Sequence, residues 1–284
     1  MKNTLYFVAL VVGFSLLFVQ CEQQTCKCQP CTCEDKICTC GCNDNGNNND
    51  NSDDNVIDDS NTGTKDEGID DSNTGIKDES IGEEAGHDYV DLGLPSSLKW
   101  ATCNVGASIP EEYGDYFAWG EVDSKKYYDW STYKYCVNIV TNIIKYCTNS
   151  QYGYNQFVDN KITLDLEDDA AAANWGGTWR MPSDAEWDEL RNNCTWVWTT
   201  QNGVNGYKVV GKNGNSIFLP AAGLYYGSLG FRGLGGNGWY WSSLLYSNVP
   251  VCAYIMHFNP NDVGWEGMTD RCYGLSVRPV CNNL

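Results

Sequence analysis

Histidine is almost missing from this chain of 284 residues: His87 and His257 are the only two. No H-E-x-x-H, G-x-S-x-G or phosphate-cradling glycine loop occurs, so the usual metalloprotease, hydrolase and nucleotide-site chemistries are excluded. Basic residues are also scarce, 18 Lys+Arg against 37 Asp+Glu, for a net charge of −19. Binding to a phosphate backbone depends on clustered Lys and Arg, so no nucleic-acid partner is expected. Aromatic residues are absent from 22–86, and without them that stretch cannot build a core. What those residues do hold is acid: 17 Asp+Glu against four Lys, two thirds of the net charge in a quarter of the chain. Residues 87–284 hold all eleven Trp and 33 aromatics, enough for a sizeable core.

Residues 1–20 read as a signal peptide, with Lys2 as the positive flank and Leu5–Phe18 as an apolar run too short for a comfortable membrane span. Phe18-Val19-Gln20-Cys21 resembles the lipobox of bacterial lipoproteins, which implies cleavage before Cys21 and lipid on that cysteine. Gln20 stands where a small residue is usual, and ordinary secretion is the alternative. Localisation is expected at the outer membrane or cell surface, held by the lipid. Within 21–42, Cys26, Cys28, Cys31, Cys33, Cys38, Cys40 and Cys42 form repeated C-x-C pairs. Such thiolates can wrap a soft metal ion, but an exported chain meets oxidants first, so a disulfide-linked or disordered stalk base is the competing reading.

Residues 43–86 read as a disordered acidic linker. A twelve-residue unit, Asp58–Ile69, recurs almost letter for letter as Asp70–Ile81. It fails as a calcium loop because its third and fifth positions are Ser and Thr and its twelfth is Ile where a bidentate Glu is needed. Like charges extend such a chain, which suits it to holding a domain away from a surface.

From His87 to Leu284 the pattern is a loop-rich α+β domain. Tyr89–Leu92 and Leu98–Ala101 read as strands around a Pro95-Ser96 turn. Acidic residues before Ala170–Ala173 and the Gly176-Gly177 stop predict one helix, and Ser183 with Glu186 predicts a capping box opening a second, with Trp187 and Leu190 on its buried face. Asn202-Gly203, Asn205-Gly206 and Asn213-Gly214 signal turns between strands at 195–200, 207–210 and 216–219. Lys134-Tyr135-Cys136 and Lys145-Tyr146-Cys147 flank a β-branched segment that reads as a hairpin turning at Thr141-Asn142. That register sets Cys136 opposite Cys147 and predicts a disulfide.

The run Gly176-Gly177-Thr178-Trp179-Arg180-Met181-Pro182-Ser183-Asp184-Ala185-Glu186-Trp187 resembles the R-L-P-S/T-x-A-E-W stretch of the formylglycine-generating, sulfatase-modifying superfamily. Gly274-Leu275-Ser276-Val277-Arg278 is similar to its G-F-R-x-x-R ending. With His87–Leu94 and Trp100–Gly106, residues 87–284 resemble the Fibrobacter succinogenes major paralogous domain family of secreted bacterial proteins. The resemblance implies a C-type lectin-like domain, two helices against twisted antiparallel strands with long loops on one face, and no settled activity. The close cysteine pair of the oxidase members is not carried over, because Cys252 and Cys272 stand twenty apart.

The late loops supply the candidate site. Tyr246, Asn259, Asn261, Asp262, Trp265 and Glu266 combine flat rings with amide and carboxylate groups that suit a glycan or a surface-protein ligand. Asp262 and Glu266 are the acids a structural calcium ion would use; no other cofactor is expected. The reading is therefore a non-enzymatic, lipid-anchored surface adhesin, with a structural or tip subunit of a surface assembly as the alternative.

Overall fold

A computed structural model describes residues 80–227 and 230–282, except the side chains of Trp265 and Glu266. The signal peptide, Cys21, the cysteine pairs and the repeat up to Glu79 lie outside the described residues. Ordered pairing starts six residues before the expected boundary at His87. Ile81–Glu84 (β1) hairpins through Ala85-Gly86 onto His87–Asp91 (β2), so 81–86 belong to the domain and not to the linker. Glu84 is tied down by the Thr178 amide (2.8 Å) and the Trp179 indole N–H, which donates to its carbonyl (2.8 Å).

Lys99–Ala101 (β3) pairs with β2 and, on its other side, with the last strand, so the two ends of the domain meet in one antiparallel sheet. Residues 102–169 then run without a named strand or α-helix, and helix α1 follows at Ala170–Trp175. Its cap is Asp169, whose carboxylate accepts from the Ala171 and Ala172 amides, and Gly176 ends it at φ 69°. The acids expected in its first turn sit instead in a preceding 3-10 turn, Leu166–Asp168. Helix α2, Asp184–Asn193, carries the expected Ser183–Glu186 capping box and buries Trp187 and Leu190.

Thr195–Gln201 (β4), Val204–Val210 (β5) and Ser216–Pro220 (β6) form a three-stranded meander. The Asn202-Gly203 turn is present, with both residues at positive φ (47° and 82°) as a two-residue hairpin loop requires. Asn205-Gly206 is no turn. Gly206 lies inside β5, where a Cβ would come within 2.3 Å of the Leu219 carbonyl oxygen, so the glycine serves close strand approach. Leu224–Tyr225 (β7) and Phe231–Arg232 (β8) make a short pair, and Gly238–Leu245 (β9), Cys252–Asn259 (β10) and Asp262–Asp270 (β11) make the central sheet, in order β11-β10-β9. Val280–Cys281 (β12) closes the chain beside β3. The described domain is therefore mixed α+β, rich in sheet with two α-helices.

Alternation along β9 builds two cores at once. Trp241 enters one with Trp119, Tyr133 and Tyr146, while Tyr240 enters the other with Trp100, Trp187 and Phe258. Three of the buried ring donors find carbonyls: Trp241 donates to Phe117 (2.7 Å), Trp119 to Ser242 (2.8 Å) and Tyr240 to Pro220 (2.7 Å), whereas the Trp100 indole N–H has no partner among the described residues.

The expected Cys136–Cys147 hairpin is overturned. Cys136 faces Ile143, with the Ile144 amide donating to the Tyr135 carbonyl (3.0 Å) and the Val137 amide to Asn142 (2.9 Å), so the loop is longer than two residues and the register moves by four. All seven cysteines from Cys103 to Cys281 are free thiols. The physical reason is Asp159, whose carboxylate captures the Tyr146 and Cys147 amides (2.8 Å each) and takes that strand's donors away from a hairpin.

Candidate functional site

The structure separates the sequence candidates. Asn259 pairs with Asp262 around the turn Pro260-Asn261 at one end of the β10–β11 hairpin, and Cys252 pairs with Asp270 at the other. Seven residues at about 3.3 Å each put the ends roughly 23 Å apart. Tyr246 belongs to the Cys252 end, where its amide donates to the Cys252 carbonyl (3.1 Å) and its ring meets Tyr254 edge-on at 5.3 Å. Asn261 and Asp262 are exposed at the far tip, and the Asn259 side-chain oxygen is engaged by the Asn261 amide (2.9 Å). Trp265 and Glu266 together oppose Met256 in a β-bulge of β11. Asp262 and Glu266 stand four positions apart on one strand, about 13 Å along it. The six residues thus form no single cluster.

A cleft of about 340 Å³ does form at the Cys252–Asp270 end. Three loops distant in sequence line it: Asp129 and Trp130, Tyr226 and Gly227, and Asp270, Cys272 and Tyr273. Backbone pairing explains the convergence, since the Gly227 amide donates to the Tyr128 carbonyl (2.9 Å) and Tyr225 and Gly274 exchange both bonds (2.7 and 3.0 Å). Gly274 cannot be larger, because a Cβ would lie 2.8 Å from the Tyr128 ring. Tyr226 and Tyr273 meet at 86° with centroids 4.7 Å apart, and Trp130 is set at 87° to Tyr133.

The charges of the cleft are fixed by their neighbours. Oδ1 of Asp129 accepts from the Ser131 hydroxyl (2.7 Å) and from the Ser131 and Thr132 amides (3.0 Å each), and the Ser131 hydroxyl above all holds the carboxyl below its ordinary value. The Cys252 thiol donates to Asp270 at 3.7 Å; burial, and then the Asp270 charge, push that thiol up to about 12. Cys272 is fully buried and its thiol is raised by burial and by Asp270. Arg271 points inward. Its Nε donates to the Tyr133 hydroxyl (2.8 Å), Nη1 to the Tyr146 and Pro250 carbonyls (2.8 Å each) and Nη2 to Lys145 (3.1 Å), and the guanidinium lies 5.0 Å over Trp119.

A second cleft of about 380 Å³ runs between Ile81 and Val90 on one side and Lys208 and Ser216–Phe218 on the other. The only acidic group among the described residues that could hold a metal ion is Asp165, Glu167 and Asp168. Lys145 already sits among them at 3.0, 3.3 and 2.5 Å. Asp168 also receives the Tyr135 and Tyr146 hydroxyls. Burial alone would raise its carboxyl, yet the Lys145 and tyrosine hydrogen bonds prevail and bring it to about 2. Both histidines stack on tryptophans, His87 on Trp175 at 3.9 Å and His257 on Trp239 at 4.9 Å, and burial lowers both from their ordinary value.

Sequence reasoning passed over Asp129, Trp130, Tyr226, Asp270 and Tyr273. The available signals were local and weak: Asp129-Trp130-Ser131-Thr132 is a side-chain-capped turn, and Tyr226-Gly227 and Tyr273-Gly274 set a ring beside a residue that permits close backbone approach. No family model, curated protein or solved structure matches the chain.

Proposed function

We propose that the chain is an exported surface protein, lipidated at Cys21 and held at the outer membrane, whose domain binds a glycan or a protein ligand without chemical turnover. The single observation that carries this reading is the open cleft of three half-buried rings and two carboxylates at the end of the central sheet. Rings and carboxylates on loops give contact area and orientation at low rotamer cost. The thiols beside the cleft are kept protonated by burial, which suits a binding surface and not a nucleophile. The finer fold reading is C-type lectin-like, in the manner of the Fibrobacter paralogous domains. The return of the last strand, β12, to the N-terminal sheet beside β3, the two helices and the long loop segment 102–169 support it. Screening the purified chain on a glycan array, with and without calcium, tests the binding reading: a hit lost in Tyr273→Leu supports it, and a hit indifferent to the cleft defeats it. For the anchor, Cys21→Ala abolishes lipid labelling; labelling that persists overturns the assignment.

The tip- or structural-subunit reading has its own support. Among the described residues, six of the thirteen exposed large apolar side chains, Ile139, Ile144, Tyr154, Val158, Ile162 and Leu166, fall within 28 residues, and Leu166 is 68% exposed. Leu166→Glu with Ile139→Glu then weakens co-assembly and leaves glycan binding intact, measured by cross-linking at the cell surface.

A further inference from the structure

We propose that the cleft recognises an ammonium group carried by its ligand; this rests on the reading of the cleft as the binding site. Shape is the first argument. Tyr226 and Tyr273 stand perpendicular, 86° at 4.7 Å, and form a corner, and Trp130 lines the same cleft from another loop. A neutral pyranose packs best on one flat ring, whereas a corner of rings presents several electron-rich faces to a compact cation.

Charge is the second argument. Asp129 and Asp270 both line the cleft, and among the described residues no lysine or arginine does. The Ser131 hydroxyl and the Ser131 and Thr132 amides all donate to Oδ1 of Asp129, so the turn holds its carboxylate in place at the cleft. The cations nearby are already engaged. Lys125 is bonded to Glu121 (2.9 Å) and to the Thr132 carbonyl (3.0 Å). Arg271 is turned into the interior, and Arg232 is itself placed on one of the cleft's rings, 5.6 Å over Tyr226, so Tyr273 and Trp130 are the rings offered to a ligand's cation. Two carboxylates in a recess of about 340 Å³ therefore present negative charge with no cationic side chain among the described lining residues, Asp270 being met by the neutral Cys252 thiol. An ammonium ion satisfies both features at once, by cation–π contact with the rings and charge-assisted hydrogen bonds to the acids.

The group could be offered by a de-N-acetylated amino sugar or by a lysine side chain, and the experiment separates them. The full chain is titrated by calorimetry with a glucosamine tetramer, an N-acetylglucosamine tetramer and Nα-acetyl-lysine methylamide, and by NMR with tetramethylammonium as the bare cation. The expected result is binding of the amine-bearing probes, with the N-acetylated tetramer at least about ten-fold weaker. If the glucosamine tetramer outbinds the lysine probe the source is a sugar, and the reverse order assigns it to a peptide. Asp270→Asn, which keeps shape, lowers affinity about ten-fold or more, whereas Asp88→Asn on the exposed face of β2 leaves it unchanged. Equal binding of the acetylated and free-amine tetramers, abolished by Tyr273→Leu, overturns the ammonium reading while the cleft survives as a site. No binding of any probe and no tetramethylammonium shift at Tyr273 or Trp130 overturns the ammonium reading outright. A glycan-array ligand unaffected by Tyr273→Leu overturns the cleft itself.

Discussion

The two ends of the β9–β11 sheet are built on opposite principles. At the Asn259–Asp262 tip, Phe258 lies 5.2 Å from Tyr207, 5.9 Å from Tyr240 and 6.3 Å from Trp196, so the rings cover one another. At the Asp270 end the loops rest on Arg271, a fully buried cation held by one hydroxyl and three carbonyls. An apolar pile consumes the surface it is made of. Hydrogen bonds instead fix positions without filling space, so a polar scaffold can hold Tyr226, Tyr273 and Trp130 around an opening.

The strongest way to break this comparison is to remove the scaffold. Arg271→Met leaves the Tyr146, Pro250 and Lys145 carbonyls without their charged donor, and at about 1.5 kcal/mol or more for each such bond it costs more than roughly 4 kcal/mol. Urea unfolding measures it; a loss below about 1 kcal/mol would show that the cleft end does not depend on this cation. Phe258→Ala attacks the other end and costs about 3–5 kcal/mol, yet the folded fraction keeps its cleft and its ligand affinity. Affinity falling in step with stability would tie the two ends together.

Acid sharpens the contrast. Lys145 binds Asp168 through its ammonium and Arg271 through its carbonyl, so Asp168 supports the same scaffold. The Asp168 carboxyl is depressed from 3.8 to about 2 in the folded chain. Its stabilisation is thus complete above the unfolded value and declines as pH falls through the interval from 3.8 to about 2. Asp168→Asn flattens the stability profile across that interval; an unchanged slope counts against the assignment. The smallest effect concerns thiols. Half-exposed Cys103 and Cys136 alkylate before buried Cys147, Cys272 and Cys281 in the native protein, and non-reduced peptide mapping shows no Cys136–Cys147 link. Detection of that link would restore the short hairpin.

Elements with a chemical signature confined to a few neighbouring residues were readable in advance. The Ser183–Glu186 box, the Asp169-led helix with its Gly176 stop and the Asn202-Gly203 turn each depend on groups within four residues of one another. Asn205-Gly206 misled because the same dipeptide serves a turn or a close strand contact, and only β6 decides between them. Cys136 and Cys147 misled because Asp159, twelve residues beyond Cys147, redirects the amides that would have paired the strands.

By itself, the sequence determined the division between an acidic, ring-free N-terminal stretch and an aromatic-rich domain, since composition alone sets whether a segment can bury enough apolar surface to fold. It also determined local caps and turns, whose hydrogen bonds close over short separations. Only the tertiary structure decided that Asn259–Asp262 and Tyr246 stand at opposite ends of one sheet, and that Asp129, Tyr226 and Tyr273 share a cleft. Periodicity records which face of a strand is buried, but not which distant carbonyls a buried Arg271 will gather around itself.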